Sequence, residues 1–123
     1  FIFAAGADLS ALSYLAKREQ ALAIGKLGHD VFRRLNEIGI PTFAFINGLA
    51  LGGGLEVGLH CKYRTISATA LVALPEVFLG LLPGWGGATI LPQLIGPERA
   101  VQVIINNALN NNTMLKAKEA FLS

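Results

Sequence analysis

The chain has 123 residues, 53% of them hydrophobic, and a formal net charge of +2. That length fits one domain, and no apolar run reaches the roughly 18 residues that span a bilayer, so a packed interior accounts for the hydrophobicity and a membrane does not. The charges are dispersed, with no basic run longer than a pair such as Arg33-Arg34, which excludes a nucleic-acid footprint. A single cysteine excludes an internal disulfide framework and suits a reducing compartment.

Phe1 to Ala4 reads as a strand; it is short and has no basic leader, so it is not a signal peptide. It starts as a strand already inside a fold, which predicts a part upstream. Ala5-Gly6-Ala7-Asp8-Leu9 is a turn, and Asp8 or Ser10 can cap the helix that follows. From Ser10 to Ile38, Leu12, Leu15, Leu22, Leu27, Val31, Phe32 and Leu35 recur at helical spacings. Gly25 and Gly28 predict a break between Ala23 and Gly28, because glycine lowers helix stability. Gly39 and Pro41 end this segment, and Thr42 to Ile46 is an apolar strand.

The chain is organised around the next stretch, Asn47 to Glu56, with Gly52-Gly53-Gly54 at a helix start. Glycine allows close approach to the main chain, and the first amides of a helix lack internal partners and carry the positive end of its dipole. Such a start can receive a negative oxygen, and Glu56 lies in its first turn; the structural alternative is tight helix-on-strand packing. The helix runs on to Cys61. Lys62 to Ser67 and Leu71 to Leu74 read as strands, and Pro75 to Gly80 begins with a helical turn. Pro83 to Gly87 is a second glycine-rich loop leading into Ala88 to Leu91. Gly96-Pro97-Glu98 starts a helix over Arg99 to Ile105, the asparagines from 106 to 112 bracket a polar loop, and Thr113 can cap a last helix through Leu122. No repeat or linker interrupts the chain, and strands alternating with helices define an α/β class.

Several chemistries fall away. Val57 and Thr89 stand where a dinucleotide fingerprint needs glycine or alanine, and neither glycine loop has a P-loop ending. His29 reads as a solvated or capping side chain on its helix. His60 lies four residues after Glu56 on the same face and can order that carboxylate, although a packed core histidine is the plainer reading. Neither histidine has a partner at metal-ligand spacing, so no metal is expected. Cys61 lacks the surroundings of a nucleophile, and Ser10 and Ser13 fit no nucleophile elbow. Glu56 and Glu76 remain, carboxyls in apolar, glycine-rich surroundings suited to acid–base work.

Five blocks in order then resemble the enoyl-CoA hydratase/isomerase (crotonase) superfamily. They are Ala5 to Leu9, Asn47 to Glu56, Leu74 to Val77, Gly80 to Gly87 and Leu94 to Pro97. The Asn-rich run from Ile105 to Leu115 is most similar to hydratase domains of multifunctional fatty-acid-oxidation proteins. The resemblance implies an α/β spiral of ββα units, of which residues 1–123 would be a core portion, without the opening strands and the C-terminal helices. It implies trimers or pairs of trimers in the bacterial cytoplasm or mitochondrial matrix. The implied substrate is an acyl-CoA thioester, with coenzyme A entering as part of it and no separate cofactor. The Ala7 and Gly53 amides would form an oxyanion hole, Glu56 and Glu76 would be the catalytic pair, and Gly84 would hold water or substrate. Ala5, Gly6 and Asp8 would lie against the adenine end of coenzyme A. Lys62 departs from the family's aspartate, at a structural position. Hydration of a 2-trans-enoyl-CoA is the leading expectation, beside double-bond isomerisation, for which one glutamate suffices, and an inactive acyl-CoA-binding or assembly fragment.

Overall fold

The computed structural model describes residues 1–10 and 17–121. Its elements are β1 (Ile2–Ala4), α1 (Arg18–Glu37), β2 (Phe43–Ile46), β3 (Leu49–Leu51), α2 (Gly53–His60), β4 (Tyr63–Ile66) and β5 (Leu71–Ala73). A 3₁₀ turn (Pro75–Leu79), α3 (Gly87–Ile95), α4 (Pro97–Val101), a π-helical segment (Gln102–Asn106), α5 (Asn107–Leu109), β6 (Leu115–Lys116) and α6 (Ala117–Phe121) follow. Parallel strands need long crossovers, usually helical, and the alternation in the sequence supplies them. One sheet runs β1-β3-β5-β6, with the first three strands parallel and β6 antiparallel; β2 and β4 form a second, parallel pair.

Between β2 and β3 only Asn47 and Gly48 intervene, so the chain passes from one sheet to the other in a single turn. In β2 side chains alternate with period two: Ala44 and Ile46 are buried while Phe43 and Phe45 face out. The core joins Ala44 and Ile46 to Leu55 and Leu59 of α2, Val72 and Leu74 at β5, and Leu91, Val103 and Ile104 from the later helices. Helix α2 is buried along most of its length. The guanidinium of Arg64 closes its far end, donating to the Leu59 carbonyl at 3.1 Å and the Cys61 carbonyl at 2.6 Å. That satisfies orphan carbonyls and sets a cation at the negative end of the helix.

Three expectations are corrected. Helix α1 runs unbroken through Gly25 and Gly28; at Gly28 the indole of Trp85 fills the space a Cβ would take, so the glycine serves packing against a neighbour. Leu49–Leu51, read as part of the approach to a helix, is a strand, because parallel pairing with β1 and β5 outweighs local preference. Thr113 caps no long final helix: its hydroxyl donates to the Asn110 carbonyl at 2.6 Å, and β6 intervenes before α6 begins at Ala117. Leu12, Leu15 and Ser13 lie outside the described residues.

The outer face of the β2–β4 pair exposes Phe43, Phe45 and Tyr63, at 56%, 65% and 48% of their surface. Their rings stack on one another, Phe43 on Tyr63 at 5.0 Å and on Phe45 at 6.2 Å. A contiguous apolar patch of this kind marks an association surface or an aggregation liability. The isolated chain is expected to elute as oligomers. A sharp monomer peak with a cooperative melt would overturn that expectation.

Candidate active site

Three loops leave the carboxyl ends of the adjacent parallel strands β1, β3 and β5, which places them along one edge of the sheet. Ligands of α/β sheets bind at that edge. Here it opens a cavity of about 620 Å³, lined by Ala5, Gly6, Ala7 and Asp8 after β1, by Gly52, Gly53 and Glu56 after β3, and by Glu76 after β5. Gly84 and Trp85 of the second glycine loop complete the wall. All eight residues singled out from the sequence therefore share one cavity. Asp8 sits at its rim with an Oδ1 that accepts the Ser10 amide at 2.9 Å, and hydrogen bonding from the Ser10 side chain first, then from its backbone, holds the carboxyl below the usual range.

Gly53 is the first residue of α2, so its amide has no partner within the helix. The Ala7 nitrogen lies 3.8 Å from where a Cβ on Gly53 would stand, and the Gly53 nitrogen 3.8 Å from the matching point on Gly6. The two amides are near neighbours across the mouth of the helix.

Glu56 is only 2% exposed. Its Oε1 accepts two amides from the second glycine loop, Trp85 N–H and Gly87 N–H, each at 3.0 Å. Burial holds its pKa above the ordinary carboxylate value, and these two amides offset only part of that rise. Glu76 differs: its Oε2 is buried without a hydrogen-bond partner. Its pKa is pushed up to about 7, chiefly by burial, against the pull of its own backbone amide and with a further push from the charge of Glu56. Glu76 reaches this place because Gly52 makes room; a Cβ there would sit 2.7 Å from Glu76 Oε1, and Gly52 has a φ of 53° that side chains disfavour.

Sequence reasoning passed over Trp85, although a lone tryptophan among glycines was a signal. Its indole N–H donates to the Ile24 carbonyl at 3.2 Å, its ring meets Phe32 edge-on at 5.6 Å, and its peptide groups reach both Glu56 and His60. The tryptophan thus ties α1 and α2 to the second glycine loop. His29 is half-buried, its ring 5.5 Å from that of His60, and so packs inward where a solvated position was expected. Among the described residues no group of three His, Cys, Asp or Glu side chains could hold a metal ion, and no helix is long and apolar enough to cross a membrane.

Parallel strands deliver two buried carboxyls and a glycine-started helix to one cavity, the arrangement of an α/β fold with its candidate site at the carboxyl edge of the sheet. The chain belongs to the enoyl-CoA hydratase/isomerase family, whose profile matches residues 1–120. It is 44% identical over 120 residues to the fatty acid oxidation complex subunit alpha of Shewanella loihica, an alignment that takes in 96% of this chain and 16% of that one. The crystal structure of an enoyl-CoA hydratase from Thermoplasma volcanium superposes with a TM-score of 0.86 at 28% identity, over 98% of this chain and 46% of that one. The enoyl-CoA hydratase of Bacillus anthracis gives 0.77 at 35% identity, over 94% and 43%. The fold is therefore the core portion of a crotonase fold, and the chain spans about a sixth of the fatty acid oxidation complex subunit and under half of the two enoyl-CoA hydratases.

Proposed function

We propose that the chain carries the site of an enoyl-CoA hydratase, a lyase that adds water to a 2-trans-enoyl-CoA to give the 3-hydroxyacyl-CoA. The carrying observation is the pair of buried carboxyls on one cavity, Glu56 clamped by two amides and Glu76 with an unpartnered Oε2. The Ala7 and Gly53 amides donate to the thioester carbonyl oxygen, stabilising the negative charge that gathers there as a nucleophile adds at the β carbon. Donors placed where charge develops are often the largest catalytic contribution.

Water held between the carboxyls then supplies both additions. Glu56, kept ionised by the Trp85 and Gly87 amides, takes a proton from the water as its oxygen bonds to the β carbon. Glu76, protonated, gives a proton to the α carbon, and the two carboxyls end with their proton count unchanged. The Gly84 amide helps to hold the water or the acyl group, and the backbone from Ala5 to Asp8 lies along the adenine end of coenzyme A. Oligomeric assembly and action in the bacterial cytoplasm or mitochondrial matrix belong to the same reading.

The test is to incubate the purified chain with crotonyl-CoA and follow the enoyl-thioester absorbance. Loss of absorbance with formation of 3-hydroxybutyryl-CoA is expected. No loss from a folded chain that still binds the thioester would favour an acyl-CoA-binding role.

A further inference from the structure

The second glycine loop, Gly84-Trp85-Gly86-Gly87, supplies both amides that clamp Glu56. Three glycines in four residues give it little stiffness of its own, so its geometry depends on what grips it from outside. Two grips come from Glu56. A third comes one turn further along α2, where His60 Nε2 lies 2.7 Å from the Trp85 carbonyl oxygen. A carbonyl only accepts, so this nitrogen carries the hydrogen, and His60 is the Nε2–H tautomer with a bare Nδ1. The peptide it holds, from Trp85 to Gly86, lies between the two amides donated to Glu56.

The fit around His60 is close. It is 1% exposed, Phe32 meets its ring at 5.8 Å, and Gly86, with φ 120°, has no Cβ to collide with the imidazole. We propose that His60 is a positioning residue for the hydration proposed above: by gripping the Trp85 carbonyl it keeps the Trp85 and Gly87 amides converged on Glu56 Oε1, leaving Oε2 for the water. The inference rests on the assignment of Glu56 as the base. It differs from a packing role in requiring a hydrogen-bond donor, whereas packing requires only volume. Burial lowers the pKa of the imidazole and so favours its neutral form, against the opposing pull of its bond to the Trp85 carbonyl and with a smaller push from His29 in the same sense as burial. The titratable groups facing this assembly are Glu76 across the cavity and His29 on α1.

Three measurements decide it. In the wild-type chain, ¹⁵N spectra of the imidazole at pH 7 are expected to report a neutral ring protonated at Nε2. A neutral ring protonated at Nδ1, with no hydrogen on Nε2, overturns the proposal. Next, His60→Gln places a donor near the same point, while His60→Met keeps volume and removes the donor. We expect His60→Met to lose about tenfold in kcat with KM nearly unchanged, the effect of one hydrogen bond of ordinary net worth, and His60→Gln to stay near wild type. Equal rates in the two variants overturn the donor role. Finally, ¹³C titration of Glu56 needs no turnover. Its midpoint is expected to rise in His60→Met, as the amides that lower it drift away, and an unmoved midpoint overturns the proposal. If wild-type chain fails to hydrate crotonyl-CoA, the functional assignment falls, and the two spectroscopic arms still decide whether His60 holds the loop.

Discussion

Glu56→Gln and Glu76→Gln are each expected to cut hydration of crotonyl-CoA by about 10²–10⁴-fold, the usual contribution of a general acid or base, with thioester binding retained. Groups that act as a unit are not additive, so the double variant should be little worse than the poorer single. The environments assign the roles. Glu56 has two amides on one oxygen, which favours its anion; Glu76 has a buried oxygen with no donor and a pKa of about 7, which favours its acid. Activity should therefore fall as pH rises through about 7, when Glu76 loses its proton, and fall again on the acid side as Glu56 gains one. The same shift acts on stability. A carboxyl raised from 4.5 to about 7 keeps its proton longer in the folded chain than in the unfolded one, so stability drains as pH climbs through that window. Relative to wild type, Glu76→Gln should gain melting temperature across this interval and hold the gain at pH 8. Hydration at wild-type rate by Glu76→Gln would sink the paired mechanism and put isomerisation first. In the other direction, an alkaline limb that persists in Glu76→Gln would assign it to another group.

Much of this site is legible in the sequence, because its parts depend on local chemistry. Glycines at a helix start, a glutamate one turn in and a second glutamate after Pro75 are read directly from residue types. The convergence of the three loops follows from parallel strands, which alternation with helices predicts. What was not legible depended on partners distant in sequence. Glu56 lies in the first turn of its own helix, near the positive end of the dipole, but its bonded donors come from Trp85 and Gly87, about thirty residues on. Gly28 looked like a helix breaker because the indole that needs its space lies 57 positions away in the chain, at Trp85. The strand Leu49–Leu51 is too short to show periodicity, and exists because β1 and β5 flank it. His60 showed its proximity to Glu56 through helical spacing, yet its link runs through a loop carbonyl and not to the carboxylate itself.

Gly53→Pro is expected to abolish turnover and weaken thioester binding, because it deletes a main-chain donor that no side-chain substitution can reach. Gly53 occupies the first helical position of α2, where proline is well tolerated, since its fixed φ suits the turn and the missing N–H has no partner within the helix. The helix should thus survive while the proposed oxyanion hole loses half of its donors. Losing one such donor costs about 10²–10³ in kcat where it has been tested in other enzymes. A control is needed, because any Cβ at this position would stand 2.8 Å from Cε3 of the Trp85 ring. Gly53→Ala brings that crowding and keeps the amide. The expected order is wild type, then Gly53→Ala with a modest loss as Trp85 shifts, then Gly53→Pro far below both. Steady-state kinetics with crotonyl-CoA, alongside circular dichroism to establish that the helix persists, separate the two causes. Proline and alanine variants that fall together would make the defect one of crowding against Trp85. Wild-type turnover by a folded Gly53→Pro chain would remove Gly53 from the oxyanion hole altogether.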